Sequence, residues 1–192
     1  MILAVISAEG CFRPEMAVPD RVKTPQPKDY LSAEQLPKEF DPYSLLFVFP
    51  PSRNINGINM VSVNKNQHIP QWCGSCWAFS ATSSISDRLR LMTKGAWPEY
   101  DLSVQNIINC GGAGSCYGGH PSGVFSYMQD EGVPTEGCMR YQAINMDCND
   151  MNRCRDCTMG QGCHAIQNYT KYYVEEFGSV SGEENMMKEI FA

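Results

Sequence analysis

Apolar residues recur at intervals of three and four after Cys76, at Ala78, Ala81, Ile85, Leu89 and Met92. That spacing predicts an amphipathic helix with Asp87, Arg88 and Arg90 turned mostly to solvent and a stop near Gly95. Ser103 stands where its side chain can cap a short helix over Val104, Ile107 and Ile108. A third helix fits Ser122 to Asp130, ended by Gly132 and Pro134. Ser181-Gly182-Glu183-Glu184 has the form of a capping box ahead of Met186, Met187, Ile190 and Phe191. The beginning of the chain reads differently. Pro14, Pro19, Pro25, Pro27, Pro37 and Pro42 punctuate a charged stretch, which predicts an extended segment with little helix. An abrupt apolar island, YSLLFVFPP at 43–51, follows; it fits a buried strand or a non-native insertion. No internal repeat is visible.

Composition narrows the setting. Hydrophobic residues make up 43% and charged residues 19%, enough apolar surface for a folded core. A net charge of −6 and a pI near 5.0 argue against nucleic acid or an anionic membrane as partner. Ten cysteines suit an oxidising compartment, and the single sequon Asn168-Tyr169-Thr170 agrees with passage through the secretory pathway. Residues 1–8 read as a clipped signal peptide, and no run approaches the length of a membrane span.

The pentapeptide Cys73-Gly74-Ser75-Cys76-Trp77 carries the chemistry. A thiolate is the reactive form of cysteine, and a free thiol ionises only near ~8.5. Cys76 opens the first predicted helix, where the helix dipole and unpaired backbone N–H groups favour an anion. Gly74 permits the tight turn into that helix, and Cys73, outside it, is free to be tied down. A C-x-x-C pair alone could equally be half of a zinc site, with Cys154-x-x-Cys157 as the other half, or a redox pair. The redox reading wants a βαβ pattern, which is not seen.

CGSCWAFS resembles the papain-like cysteine peptidases, and Ser115-Cys116-Tyr117-Gly118-Gly119 is similar to their second glycine motif. The segment 67–72 before Cys73, LSVQNIINCGGAGSCYGG (102–119) and CHAIQNYT (163–170) resemble the cathepsin Z type of that family. The resemblance is strongest over about 53–192, and Cys11-Phe12-Arg13-Pro14 resembles the family's short propeptide. It implies an α+β, papain-like fold: mainly the helical left domain with disulfide-braced loops, and the right β domain largely missing. Residues 9–36 would be the propeptide and 37–192 the N-terminal part of the peptidase domain, with 42–52 a non-native insertion.

The resemblance also implies roles. Cys76 attacks the scissile carbonyl, and its N–H with the Gln67 amide forms the oxyanion hole. His68, in a His-Ile-Pro loop that closes the primed side, binds the substrate's C-terminal carboxylate when protonated. The activity would then be that of a carboxypeptidase in the lysosome or outside the cell, acting on peptides or proteins with a free C-terminus. The charge-assisted contact and the titration of histidine near ~6.5 suit an acidic setting. Gly118 and Gly119 line the cleft. The implied bridges are Cys73–Cys116, Cys110–Cys148, Cys138–Cys154 and Cys157–Cys163, with Cys11–Cys76 closing the zymogen and Asn168 glycosylated. No metal or cofactor is implied, and a monomer is expected. Plainer readings stand beside these: His68 as a loop histidine, Gly118 and Gly119 as turn residues, Cys11 as an unpaired leftover. The family's general-base His and orienting Asn lie about 130–150 residues after the nucleophile, beyond Ala192. The chain as written is therefore expected to be an incomplete, inactive form, and a catalytically dead binding module is the alternative.

Overall fold

The computed structural model describes residues 11–38 and 61–192, with backbone alone at 54–55 and 58–59. The expected signal peptide at 1–8 and insertion at 42–52 lie outside these residues. Six helices are described: α1 Pro27–Tyr30, α2 Cys76–Met92, α3 Val104–Cys110, α4 Pro121–Asp130, α5 Asp150–Arg153 and α6 Glu183–Phe191. Three antiparallel two-stranded ribbons accompany them: β1 Asn54–Ile55 with β2 Ile58–Asn59, β3 Gly114–Ser115 with β4 Gly118–Gly119, and β5 Arg155–Thr158 with β6 Gly162–Ala165. Three-residue 3₁₀ turns at Pro14–Met16 and Ala33–Gln35, together with α1, interrupt a leading segment that is otherwise extended.

The core lies where α2 crosses α3 and α4. Trp77, Ala78 and Ala81 from α2 meet Leu102, Val104, Ile107, Val124, Met128 and Val133 there, all essentially excluded from water. Burying each of the larger side chains stabilises the fold by about 1.5–3 kcal/mol. Ser103 caps α3 by accepting the Asn106 N–H at 3.1 Å, and its own hydroxyl donates to the Met139 carbonyl at 2.6 Å.

The face predicted from the apolar spacing of α2 is the one that meets the core: Ala78 and Ala81 are buried, and Ile85 and Leu89 are partly buried against it. The buried positions are Trp77, Ala78, Ala81, Thr82 and Ser86, while Met92 is 79% exposed. Two polar residues sit inside because each finds a backbone partner: Thr82 Oγ1 donates to the Ala78 carbonyl, and Ser86 Oγ accepts the Leu102 N–H at 3.3 Å. Arg90 is not turned outward either; its side chain is only 13% exposed and pairs with Glu99 at 2.8 Å. The capping box at α6 does not form. Gly182, at φ 84°, is the N-cap residue, and the Ser181 carbonyl instead accepts from the Asn185 amide.

Five disulfides brace the loops: Cys11–Cys76, Cys73–Cys116, Cys110–Cys148, Cys138–Cys154 and Cys157–Cys163. The sulfurs of both C-x-x-C pairs are therefore in bridges and offer no thiolates to a metal. In chain-entropy terms the longer closures, such as Cys73–Cys116, stabilise by about 3–5 kcal/mol each.

Candidate active site

Cys76 is the first residue of α2. The Ser75 carbonyl accepts the N–H groups of Ala78 and Phe79, both at 3.0 Å, and so starts the helical ladder. The Cys76 N–H remains as one of the donors that a helix start leaves without an intrahelical partner. Upstream the turn is held rigidly. Cys73 is fully buried in its bridge to Cys116, and the Gly74 N–H donates to the Cys116 carbonyl at 2.7 Å. Trp77 is wedged beneath, its indole N–H donating to the Ser115 carbonyl at 3.1 Å. Its ring lies so close to β4 that a Cβ on Gly119 would fall 2.6 Å from the indole and 2.4 Å from the Ala113 carbonyl. Glycine at 119 is thus required by close packing, while the positive φ of Gly118 (107°) favours glycine at its neighbour.

Gln67 and His68 come to the same place. Together with Cys76, Phe79, Ser80 and Asp87 they line a cavity of about 570 Å³. Gln67 Nε2 lies 3.3 Å from His68 Nε2, and the Cys73 N–H points at His68 Nδ1 from 3.5 Å. A neutral imidazole has one acceptor nitrogen, so the ring can satisfy only one of these donors at a time; a protonated ring accepts from neither. His68 is exposed and stacks at 6.2 Å with Trp72, which in turn faces Tyr117 at 6.3 Å. The other histidines stand elsewhere. His120 caps α4 through Ser122 and contacts Phe12, and His164 is exposed on β6.

Residues 11–13 lie across β4 as an added strand. Phe12 pairs in parallel with Gly119: the Gly119 N–H donates to the Cys11 carbonyl at 3.1 Å, and the Arg13 N–H donates to the Gly119 carbonyl at 2.9 Å. Arg13 Nε donates to the Tyr117 carbonyl at 3.1 Å. Cys11 Sγ is bonded to Cys76 and also accepts the Cys76 N–H at 3.2 Å. One sulfur thus occupies both the nucleophile and the donor beside it.

Tyr141 is a site residue that sequence reading missed, because nothing local marks it and it lies 74 positions from Gln67. Its hydroxyl donates to the Gln67 carbonyl at 2.7 Å and contacts Ser75 Oγ at 2.7 Å, while its ring meets Phe79 edge-on at 4.8 Å. Burial pushes its phenol up, and the Ser75 hydroxyl pulls it partly back. Behind it, Glu136 accepts the Tyr141 N–H at 2.5 Å. Burial pushes the Glu136 carboxyl up, with the Tyr141 N–H and Lys65 opposing the shift. Lys65 itself pairs with Asp101 and lies 6.0 Å over the Phe79 ring. Asn168 is exposed at the rim of a separate cavity with Tyr169 and Thr170.

Residues 51–192 match the papain family cysteine protease profile. The chain belongs to the papain family of cysteine proteases, and its helical core and cysteine-headed helix have that family's papain-like, α+β character. Within the family it is 51% identical over 139 residues to Cathepsin Z of Onchocerca volvulus, which covers 72% of this chain and 45% of that protein. It is also 33% identical over 93 residues to Cathepsin S of Rattus norvegicus, 45% of this chain and 27% of that one. Among solved structures, the digestive procathepsin L2 proteinase of Tenebrio molitor larval midgut aligns at 32% identity with a TM-score of 0.43, over 50% of this chain and 30% of that chain. The chain spans about half or less of the length of the curated relatives it matches.

Proposed function

We propose that this chain is the nucleophile-bearing part of a cysteine-type carboxypeptidase, held as a zymogen by the bond between Cys11 and Cys76. The observation that carries the reading is the convergence of Cys76, Gln67 and His68 on one cavity at the start of α2. Once Cys11 is removed by reduction, the Cys76 thiolate is the attacking group. Its backbone N–H, vacated by the Cys11 sulfur, and the Gln67 amide receive the negative charge that develops on the carbonyl oxygen. The added strand at 11–13 holds the Gly118–Gly119 edge that substrate backbone would take, so the segment 9–36 acts as a propeptide. Two donors compete for the His68 ring when it is neutral. In its charged form it is instead a partner for a C-terminal carboxylate.

Of the three histidines, only His68 lines the Cys76 cavity; His120 caps α4 and His164 is exposed on β6. The sequon at exposed Asn168 and the density of disulfides support a glycosylated protein of the lysosome or the extracellular space. Substrates are peptides or proteins with a free C-terminal carboxylate, taken up by a monomer.

The test uses protection rather than turnover. Mildly reduced protein is alkylated with iodoacetamide at pH 5 in the presence of one peptide, either with a free C-terminus or amidated. The free acid is expected to slow labelling of Cys76 several-fold more than the amide, and His68→Ala to remove that difference. Equal protection by acid and amide would refute carboxylate recognition by His68.

A further inference from the structure

Two groups are meant to act on one oxygen, and they come from separate segments: the Gln67 amide from a loop and the Cys76 N–H from a helix start. The Tyr141 hydroxyl joins these segments. It donates its single proton to the Gln67 carbonyl, which can only accept. The bond at 2.7 Å to Ser75 must then run the other way, with the Ser75 hydroxyl donating to the Tyr141 oxygen. Ser75 is fully buried and does not use its side chain to cap α2; that hydroxyl is given to Tyr141. The next segment repeats the brace, since the Gln71 amide donates to the Ala143 carbonyl at 3.2 Å. The loop 67–73 is thus fixed at Gln67 by Tyr141, at Gln71 by Ala143 and at Cys73 by its disulfide.

A half-buried phenol needs only one partner to avoid a desolvation penalty. This one spends both its donor and its acceptor on the two segments that carry the oxyanion donors, and its ring is fixed by Phe79 and its N–H by Glu136. We propose that Tyr141 is a positioning residue: its hydroxyl, acting with Ser75, sets the separation between the Gln67 amide and the Cys76 N–H. The proposal rests on the reading of Cys76 as nucleophile and adds to it the residue that keeps the two donors in register. Preorganised donors act only when held within a fraction of an ångström of the oxygen.

A peptide aldehyde reads the oxyanion directly. The Cys76 sulfur bonds to the aldehyde carbon, the carbonyl π pair moves to oxygen, and the thiol proton ends on that oxygen, so nothing else is consumed. Iodoacetamide alkylation, in which iodide leaves and the proton goes to solvent, makes no such oxyanion. In the mildly reduced full chain, Tyr141→Phe is expected to weaken aldehyde binding about tenfold or more. It should leave the iodoacetamide rate at Cys76 within about twofold, because thiol ionisation depends on the helix start rather than on the bridge. Ser75→Ala cuts the same bridge from the other side and should give the same split, which keeps the test open if one variant folds poorly. In a Gln67→Ala background Tyr141→Phe should cost less than threefold more. A Tyr141 that is merely a core residue would shift both reagents together, or weaken the aldehyde equally with and without Gln67; either result overturns the proposal. If the parent chain takes neither reagent at Cys76, the nucleophile reading itself falls, and the role of Tyr141 with it.

Discussion

At Gly119 a single methyl group would collide with the Ala113 carbonyl and the Trp77 ring at 2.4 and 2.6 Å. Neither neighbour can move freely, since one is backbone and the other is a fully buried ring. Gly119→Ala is therefore expected to destabilise the fold by about 1–3 kcal/mol, measured as a lower urea midpoint. Ser103→Ala loses a cap and strands the Met139 carbonyl, and should cost about 1–2 kcal/mol in the same assay. Both sites can be reached from the sequence, because a serine before an apolar run and a Cys-x-Gly-Gly motif carry local signals. So does Cys76, whose neighbours Gly74, Ser75 and Trp77 announce it. Tyr141 carries no such signal. Its function depends on lying opposite Gln67 and Ser75 in space, and no spacing along the chain encodes that.

Helix α2 separates what periodicity can reveal from what it cannot. Its extent, Cys76–Met92, agrees with the apolar spacing, and so does its core face at Ala78, Ala81, Ile85 and Leu89, but Trp77, Thr82 and Ser86 widen the buried stripe and Met92 lies outside it. The large indole packs beside Gly114 and Gly119, and hydroxyls can join the interior because backbone groups meet them. Ser86→Ala leaves the Leu102 N–H unpaired in a buried setting and should cost about 1–2 kcal/mol. Met92→Lys, on the exposed end of the same helix, should change stability by less than about 0.5 kcal/mol. A denaturation series that ranked these two the other way would contradict the burial of Ser86 and the exposure of Met92. Helix α6 teaches the converse: a capping-box pattern at Ser181 is overruled by Gly182, whose left-handed backbone starts the helix one residue later.

Across the whole molecule, the leading segment is strapped to the core by carboxylates as well as by sulfur. Asp20 accepts the N–H and hydroxyl of Ser179, at 2.9 and 2.8 Å. Glu176 accepts the N–H groups of Lys23 and Thr24, at 2.6 and 2.9 Å, and the Thr24 hydroxyl. Arg21 pairs with Asp130 at 2.8 Å. The Ser179 bonds hold the Asp20 carboxyl below its ordinary value, and the Thr24 hydroxyl, followed by the two N–H groups, does the same for Glu176. Lowered carboxylates hold the strap fully at neutral pH and lose their grip as the pH falls through their depressed values, below the usual carboxylate range. Hydrogen exchange across residues 18–26 should therefore stay slow from pH 7 to 5 and accelerate only under stronger acid; acceleration already at pH 6 would contradict these contacts. None of this clamp was legible in a proline-rich stretch, because its partners lie 109 to 159 residues away. The most direct check of the whole account is residue-resolved alkylation with iodoacetamide at pH 6, before and after mild reduction. The account predicts no labelling of Cys76 at first, then labelling of Cys76 at least about tenfold faster than of the Cys11 released beside it. A Cys76 already free, bridged to Cys73, or no more reactive than Cys11 would contradict it.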